Sequence, residues 1–487
     1  RDGNTRDATV TLPVMGAYNA SWPLNCPKSD KIVRNYADYL KNGGNQGFAD
    51  IGMLFLLSTG DESDLEYVRK WAKANKGGST YTWHIGYGGL ALCEYYLRTG
   101  DKDVLPAIQK MADRLVETEN FGGWAGRGGT ASLSYGGGGG HLNAAGTLGL
   151  AYLMLAKECG ADVPEDTLLR VLKRFYRYSA RGNVPYGKGK PEGGYTDNGK
   201  NGKLAFSLAA AASLDPKGEQ SIYARGRDAS AQFAYYSSSF MLHGHTGGGI
   251  GEIWRSASMG LVHDDLPVHY REFMDARRWH YELSRRFDGS FAILGGARYD
   301  NTEWGAGYAL TYTIPLKTLR LTGAPKTKYS KSFTLPDRPW GTAEDDDFQS
   351  ILPAVNSKGE PYDLSGETFL EHASIAMVRR FSNDVDEATV RHYIHHPDIV
   401  VRDMAARSIS AHGEDLLMEF LRHEDARVRR AALHGLERSP GSLMSRAVFD
   451  HVTKMIKDPN ESWFVKERAI RVLAQADKDW LVGEVDL

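Results

Sequence analysis

Two kinds of helical pattern alternate along residues 30–323. In one, apolar residues occupy nearly every side, as in Leu148-Gly149-Leu150-Ala151-Tyr152-Leu153-Met154 and Leu208-Ala209-Ala210-Ala211-Ala212. A helix that is apolar all round is a buried helix. In the other, charge is confined to one face, as in Asp64-Leu65-Glu66-Tyr67-Val68-Arg69-Lys70-Trp71, which predicts a helix that covers a core and faces water. The apolar runs open near Gly47, Gly86, His141, Gly199, Gly248 and Trp304, and the amphipathic ones span 30–41, 61–74, 101–118, 164–179, 219–236 and 267–286. Six buried helices ringed by six exposed ones predict an all-α fold, a closed (α/α)6 toroid. An open stack would instead need end repeats with a polar outer face.

A short phrase punctuates these helices. Leu56-Leu57-Ser58-Thr59-Gly60-Asp61 returns as Tyr96-Leu97-Arg98-Thr99-Gly100-Asp101 and, shorter, as Leu319-Arg320-Leu321-Thr322-Gly323. Gly after an apolar helix ends it in the left-handed conformation, and the following Asp caps the next helix. Each phrase therefore reads as the turn of a helical hairpin.

After Gly323 the pattern changes. Residues 324–370 carry Pro325, Pro336, Pro339, Pro353 and Pro361 and predict an extended linker packed on the toroid. Its acidic run, Glu344-Asp345-Asp346-Asp347, is expected to be a solvated loop rather than a cation site. From residue 371 a second repeat begins. His396-Pro397-Asp398-Ile399-Val400-Val401-Arg402 and His423-Glu424-Asp425-Ala426-Arg427-Val428-Arg429 are two copies, and residues 458–469 are a looser third. The pattern resembles HEAT repeats, which stack helix pairs into an α-solenoid and commonly contact a protein partner. The expected organisation is an extended segment over 1–29, the toroid over 30–323, the linker over 324–370 and HEAT-like repeats over 371–487.

Composition adds exclusions. The chain has 487 residues, 41% hydrophobic and 25% charged, with net charge −2. That is ordinary globular material with no basic footprint for nucleic acid. No run approaches the roughly 18–20 apolar residues of a membrane span. Cys26, Cys93 and Cys159 are too few for a disulfide framework and lack metal spacing.

Chemistry is expected where Gly-rich segments open the buried helices, since a toroid brings all six openings to one cavity. Helix N-termini there present free N–H groups, aromatic rings offer flat faces to sugars, and polar groups converge. The substrate-binding candidates are Trp83, His84, Trp124, Arg127, His141, Tyr195, Lys200, His243, Trp254 and Trp304. The catalytic candidates are Asp197, Glu303 and His245, with Asp50 in reserve. Asp197 and Glu303 are equally suited to N-capping, and Trp83, Trp124 and Trp304 to core filling. Gly194-x-x-x-x-Gly199-Lys200 lacks the Ser or Thr of a phosphate loop, because Asn201 follows, and no strand precedes it. His243-x-His245 offers two metal ligands with no third fixed by spacing. No metal and no cofactor is therefore expected.

Several motifs in order carry a resemblance: Pro185-Tyr186-Gly187, Glu192-Gly193-Gly194-Tyr195-Thr196-Asp197-Asn198-Gly199-Lys200-Asn201-Gly202, Gly244-His245-Thr246-Gly247 with Trp254, Phe287-Asp288-Gly289-Ser290-Phe291, and Pro315-Leu316-Lys317 with Leu321-Thr322-Gly323. Over about residues 30–325 the chain resembles a bacterial toroid family known only as a domain of unknown function. The resemblance implies an α/α toroid and a secreted or periplasmic protein, any signal peptide lying outside the chain. It implies no catalytic residues. Glu252 stands where the family is expected to carry a neutral residue, which makes it a poor choice for a shared acid. More distantly the toroid resembles glycoside hydrolases, polysaccharide lyases, terpene cyclases and protein prenyltransferases. The Asp-rich motif of cyclases and the zinc set of prenyltransferases are missing from the openings.

Carbohydrate chemistry remains as the expectation. A glycoside hydrolase needs a proton donor and a second carboxylate across the sugar, which Asp197 and Glu303 would supply from the fourth and sixth openings. A polysaccharide lyase would use His245 as base, Tyr195 as acid and Arg127 or Lys200 against the uronate carboxylate. A non-catalytic glycan- or protein-binding scaffold is the third reading. The expected partners are a carbohydrate and, through the HEAT-like repeats, a protein.

Overall fold

The computed structural model describes residues 14–126, 140–179, 184–187, 199–236, 250–292, 301–348, 385–397 and 399–482. These are mostly helical, and the only β pairings among them are the isolated bridges Asn120–Gly123 and Arg285–Phe291.

The amphipathic runs form α1 (Pro27–Lys41), α3 (Glu62–Ala74), α5 (Leu105–Thr118), α7 (Glu165–Tyr176), α9 (Ile222–Tyr236) and α11 (Pro267–Ser284). The apolar runs form α2 (Ile51–Ser58), α4 (Leu90–Thr99), α6 (Asn143–Cys159), α8 (Lys200–Leu214), α10 (Ile250–Leu261) and α12 (Gly305–Thr313). All eight residues of α2 and all nine of α12 are buried. The even-numbered helices touch in cyclic order: α2 meets α4, then α6, α8, α10 and α12, and α12 returns to α2. The odd-numbered helices lie outside them; α3 touches α2 and α4, and α9 touches α8 and α10.

The capping phrases work as their chemistry dictates at the first two sites. Gly100 sits at φ 71° and donates its N–H to Tyr96 O at 2.7 Å, while Asp101 Oδ1 accepts from Asp103 N at 3.1 Å. Gly60 and Asp61 repeat the arrangement, with Asp61 Oδ1 accepting from Ser63 N at 2.7 Å. The third phrase behaves otherwise. Residues Arg320–Thr322 are a single 3-10 turn, not the end of an apolar helix, because Pro315 and the left-handed Lys317 have already stopped α12. This turn closes the end of the ring where the inner helices finish. Glu94 of α4 accepts from the backbone N–H of Arg320 at 2.8 Å and of Leu321 at 2.7 Å, and the Arg320 guanidinium reaches Glu158 of α6 at 2.9 Å and Ser213 O of α8 at 3.2 Å.

The flanking segments pack on this body. Trp22, from the segment before α1, is buried and stacks on Tyr18, whose hydroxyl meets that of Tyr312 at 2.7 Å. Beyond the ring, Leu335 joins the same core, with Tyr329, Phe333 and Trp340 against it. The acidic run departs from expectation. Asp345 is buried and pairs with Arg427 at 3.0 Å, and Asp346 is gripped by both terminal nitrogens of Arg338 at 2.6 Å. These residues are structural ion pairs rather than a solvated loop.

Residues 385–482 hold their own core, separate from that of the ring. The repeat's Val-Arg pair has a geometric cause. The Val buries, and the Arg folds back to cap the carbonyls that precede its helix. Arg402 donates to His396 O at 2.5 Å and Pro397 O at 2.8 Å, and Arg429 donates to His423 O and Glu424 O at 2.7 Å. Arg429 also pairs with Glu461 of the next copy at 2.7 Å.

Candidate functional site

The openings of α2, α4 and α12 meet at one end of the ring. Phe48, just before α2, is the hub. Its ring stacks on Trp304 at 5.1 Å and meets His84 and Tyr87 edge-on at 5.3 Å and Trp83 at 6.4 Å. Tyr81 lies 5.2 Å from His84. The first and last openings are joined through the backbone, since Phe48 N donates to Glu303 O at 3.0 Å and Asn45 Nδ2 reaches Thr302 Oγ1 at 3.4 Å. From deeper in the ring Lys203 Nζ sits 4.8 Å over the Trp83 ring, and Trp254 donates its indole N–H to Tyr87 OH at 2.7 Å.

Two local features of this mouth are unusual. Ala49 and Asp50 both take left-handed backbone conformations, at φ 50° and 60°. Non-glycine residues are rarely held there, and where they are the surroundings over-determine them, often at functional sites. Part of what holds Asp50 is visible: its Oδ2 accepts the Trp71 indole N–H at 3.0 Å. Beside it, residues Ile85–Gly89 form a π-turn between the short helix Thr82–His84 and α4, a distortion also enriched at functional sites.

The predicted residues divide. Trp83, His84 and Trp304 are half-buried members of the mouth, and Asp50 and Glu303 are half-buried beside them. Glu303 is held at its backbone, its N–H donating to Asn301 Oδ1 at 2.9 Å. Three other candidates are core residues instead. Trp124 is 1% exposed with its indole N–H on Leu115 O at 2.7 Å, Trp254 is fully buried, and buried His141 places Nε2 2.7 Å from Asn120 O. They offer no face to a ligand at the surface. Lys200 is buried, with Nζ 5.6 Å over the Tyr186 ring. Arg127, Tyr195, Asp197, His243 and His245 lie outside the described residues, as does the side chain of Glu252. Phe48, Tyr81, Tyr87 and Lys203 were not among the candidates. A signal existed for two of them: Phe48 immediately precedes an all-apolar helix, and Lys203 is a charge inside one. Among the described residues no cluster of three His, Cys, Asp or Glu side chains could hold a metal ion, and no helix is long and apolar enough to cross a membrane.

The chain is thus an all-α protein with a HEAT-like repeat region behind a larger helical domain. Residues 29–323 match the family described as Domain of unknown function (DUF6288), and the chain belongs to that family. Residues 387–474 match HEAT repeats, a class that serves protein interaction. No curated protein and no solved structure matches the chain.

Proposed function

We propose that the protein is a carbohydrate-active enzyme, a glycoside hydrolase whose substrate enters the mouth lined by Phe48, Trp83, His84 and Trp304. The observation that carries this reading is the half-buried aromatic cluster with carboxylates at its edge. Aromatic faces pack the C–H faces of pyranose rings, and carboxylates at the edge of the cluster are the groups that acid–base hydrolysis demands. In the proposed reaction one carboxyl group protonates the glycosidic oxygen as the C–O bond breaks. The other stabilises the oxocarbenium-like centre or directs water to it. Glu303 and Asp197 are the proposed pair, and Asp50, fixed by Trp71, is the carboxylate in reserve.

A second reading is a polysaccharide lyase with His245 as base and Tyr195 as acid. Incubation with a panel of neutral and uronic polysaccharides separates the two. New reducing ends without ultraviolet absorbance mean hydrolysis, absorbance of unsaturated uronates means elimination, and binding without products means a scaffold. The HEAT-like region is proposed as the surface for a protein partner, and export from the cell is proposed from the resemblance of the ring domain.

A further inference from the structure

A groove of 530 Å³ opens beside the mouth, between the C-terminal end of α1 and the turn that follows α11. It is lined by Asn35, Asp38, Tyr39, Asn42, Phe287 and Asp288. A smaller cavity of 240 Å³ lies against the same Asn35, Phe287 and Gly289. Phe287 is therefore a wall shared by two hollows, and it is 68% exposed.

The turn that displays Phe287 is built rigidly. Arg286 N donates to Ser290 O at 2.8 Å, and Asp288 Oδ1 accepts from Ser290 N at 2.9 Å and Ser290 Oγ at 2.6 Å. Gly289 sits at φ 88°, and a Cβ there would come within 2.6 Å of Asn35 O, so only glycine lets the turn dock on α1. Phe291 anchors the other side, buried 5.7 Å from Tyr36. One Phe of the Phe-Asp-Gly-Ser-Phe motif thus packs inward, and its twin is held out over a polar groove. Across it, Tyr39 is fixed by its stack on Tyr36 and by the Asn45 N–H on its hydroxyl at 3.1 Å.

We propose that this groove is a second sugar-binding subsite, which holds a stretch of glycan outside the mouth. The ligand class rests on the reading of the mouth; the site itself does not. A displayed aromatic ring facing two carboxamides and two carboxylates suits a pyranose, whose C–H face stacks while its hydroxyls hydrogen-bond. Asp38 and Asp288 would repel nucleic acid or an anionic lipid surface. No strand edge is present among the described residues for an extended peptide to join. The segment from Asn42 to Asp50 connects the groove to the mouth, so one long chain can occupy both.

The test is hydrogen–deuterium exchange and calorimetry with the neutral cello-, xylo-, malto-, laminari- and chitohexaose. The proposal expects one of these to protect residues 35–44 and 285–291. It further expects Phe287→Ala to weaken that binding at least tenfold with an unchanged melting temperature, and Trp304→Ala to keep the protection. Protection at the groove without any at the mouth supports the subsite and overturns the reading of the mouth. Protection at the mouth alone overturns the subsite and leaves the mouth standing. No protection anywhere, or a Phe287→Ala variant that binds as the wild type does, overturns the subsite.

Discussion

The Trp71 indole N–H donates to Asp50 Oδ2 at 3.0 Å and fixes a carboxylate whose own backbone is left-handed. The contact joins an outer helix to the opening of the first inner one. It orients Asp50 from the outer layer, so in the proposed reaction Trp71 would act as a positioning residue.

Replacing Trp71 by Phe keeps most of the packing and removes the donor. A hydrogen bond to a charged group contributes about 1.5–3 kcal/mol, so a modest fall in melting temperature is expected. If Asp50 serves the reaction, kcat falls several-fold while KM holds. A lowered melting temperature with both constants intact marks the contact as structural only.

The Arg320 turn closes the far end of the ring. Its guanidinium pairs with buried Glu158 of α6 and reaches Ser213 O of α8, while its backbone N–H is held by Glu94 of α4. Removing one member of a buried pair strands the other charge, at a penalty of about 3–5 kcal/mol. Arg320→Ala should therefore unfold at markedly lower denaturant, and adding Glu158→Gln should recover part of the loss. Additive losses in the double variant would contradict a direct pair.

Buried histidines on α11 link stability to pH. His280 lies 3.2 Å from Tyr308 OH, and burial, with Arg277 adding, holds its imidazole pKa down to about 2; burial holds His269 down to about 4. Each stays neutral in the folded chain below the ordinary value near 6.5, where the unfolded chain gains a proton. Stability present above pH 6.5 is then lost as pH falls toward 4, at about 1.4 kcal/mol per unit for each histidine. Burial pushes Glu94 up to about 7 and Asp228 to about 6, which acts in the opposite sense over the same range. The comparison is therefore made between variants. His280→Gln should gain on the wild type by about 1.4 kcal/mol per pH unit on acidification from 6.5 to 4. Parallel pH profiles would refute the assignment.

The HEAT-like region has a core of its own, so it can fail alone. Arg429→Ala removes two carbonyl caps and the pair with Glu461. A loss of about 2 kcal/mol is expected in this region. Calorimetry should show one transition move and the ring's transition stay. A joint shift of both would show that the two cores unfold together.

Much of the fold was legible because helix periodicity and Thr-Gly-Asp punctuation agree. α3 was expected from Asp61 to Ala74 and runs from Glu62 to Ala74, with Asp61 as its cap. The Leu319–Gly323 phrase misled because the same letters follow Pro315, which had already broken the helix. The mouth was less legible. Trp83 and Trp124 occur in similar Gly-rich openings, yet Trp83 is half-buried while Trp124 fills the core, where its N–H finds the Leu115 carbonyl. Phe48 carries no local signal of its four ring partners, because they come from two distant segments.

The central claim is that the mouth processes carbohydrate with Glu303 and a second carboxylate. It is tested most directly by release of reducing ends from a polysaccharide panel, with wild type, Glu303→Gln, Asp197→Asn and Asp50→Asn side by side. The account predicts turnover of at least one neutral glycan by the wild type. It predicts near-complete loss in Glu303→Gln and in one of the two Asp variants, with melting temperatures within a few degrees. Wild-type turnover that survives in Glu303→Gln, or no release from any glycan, would contradict it.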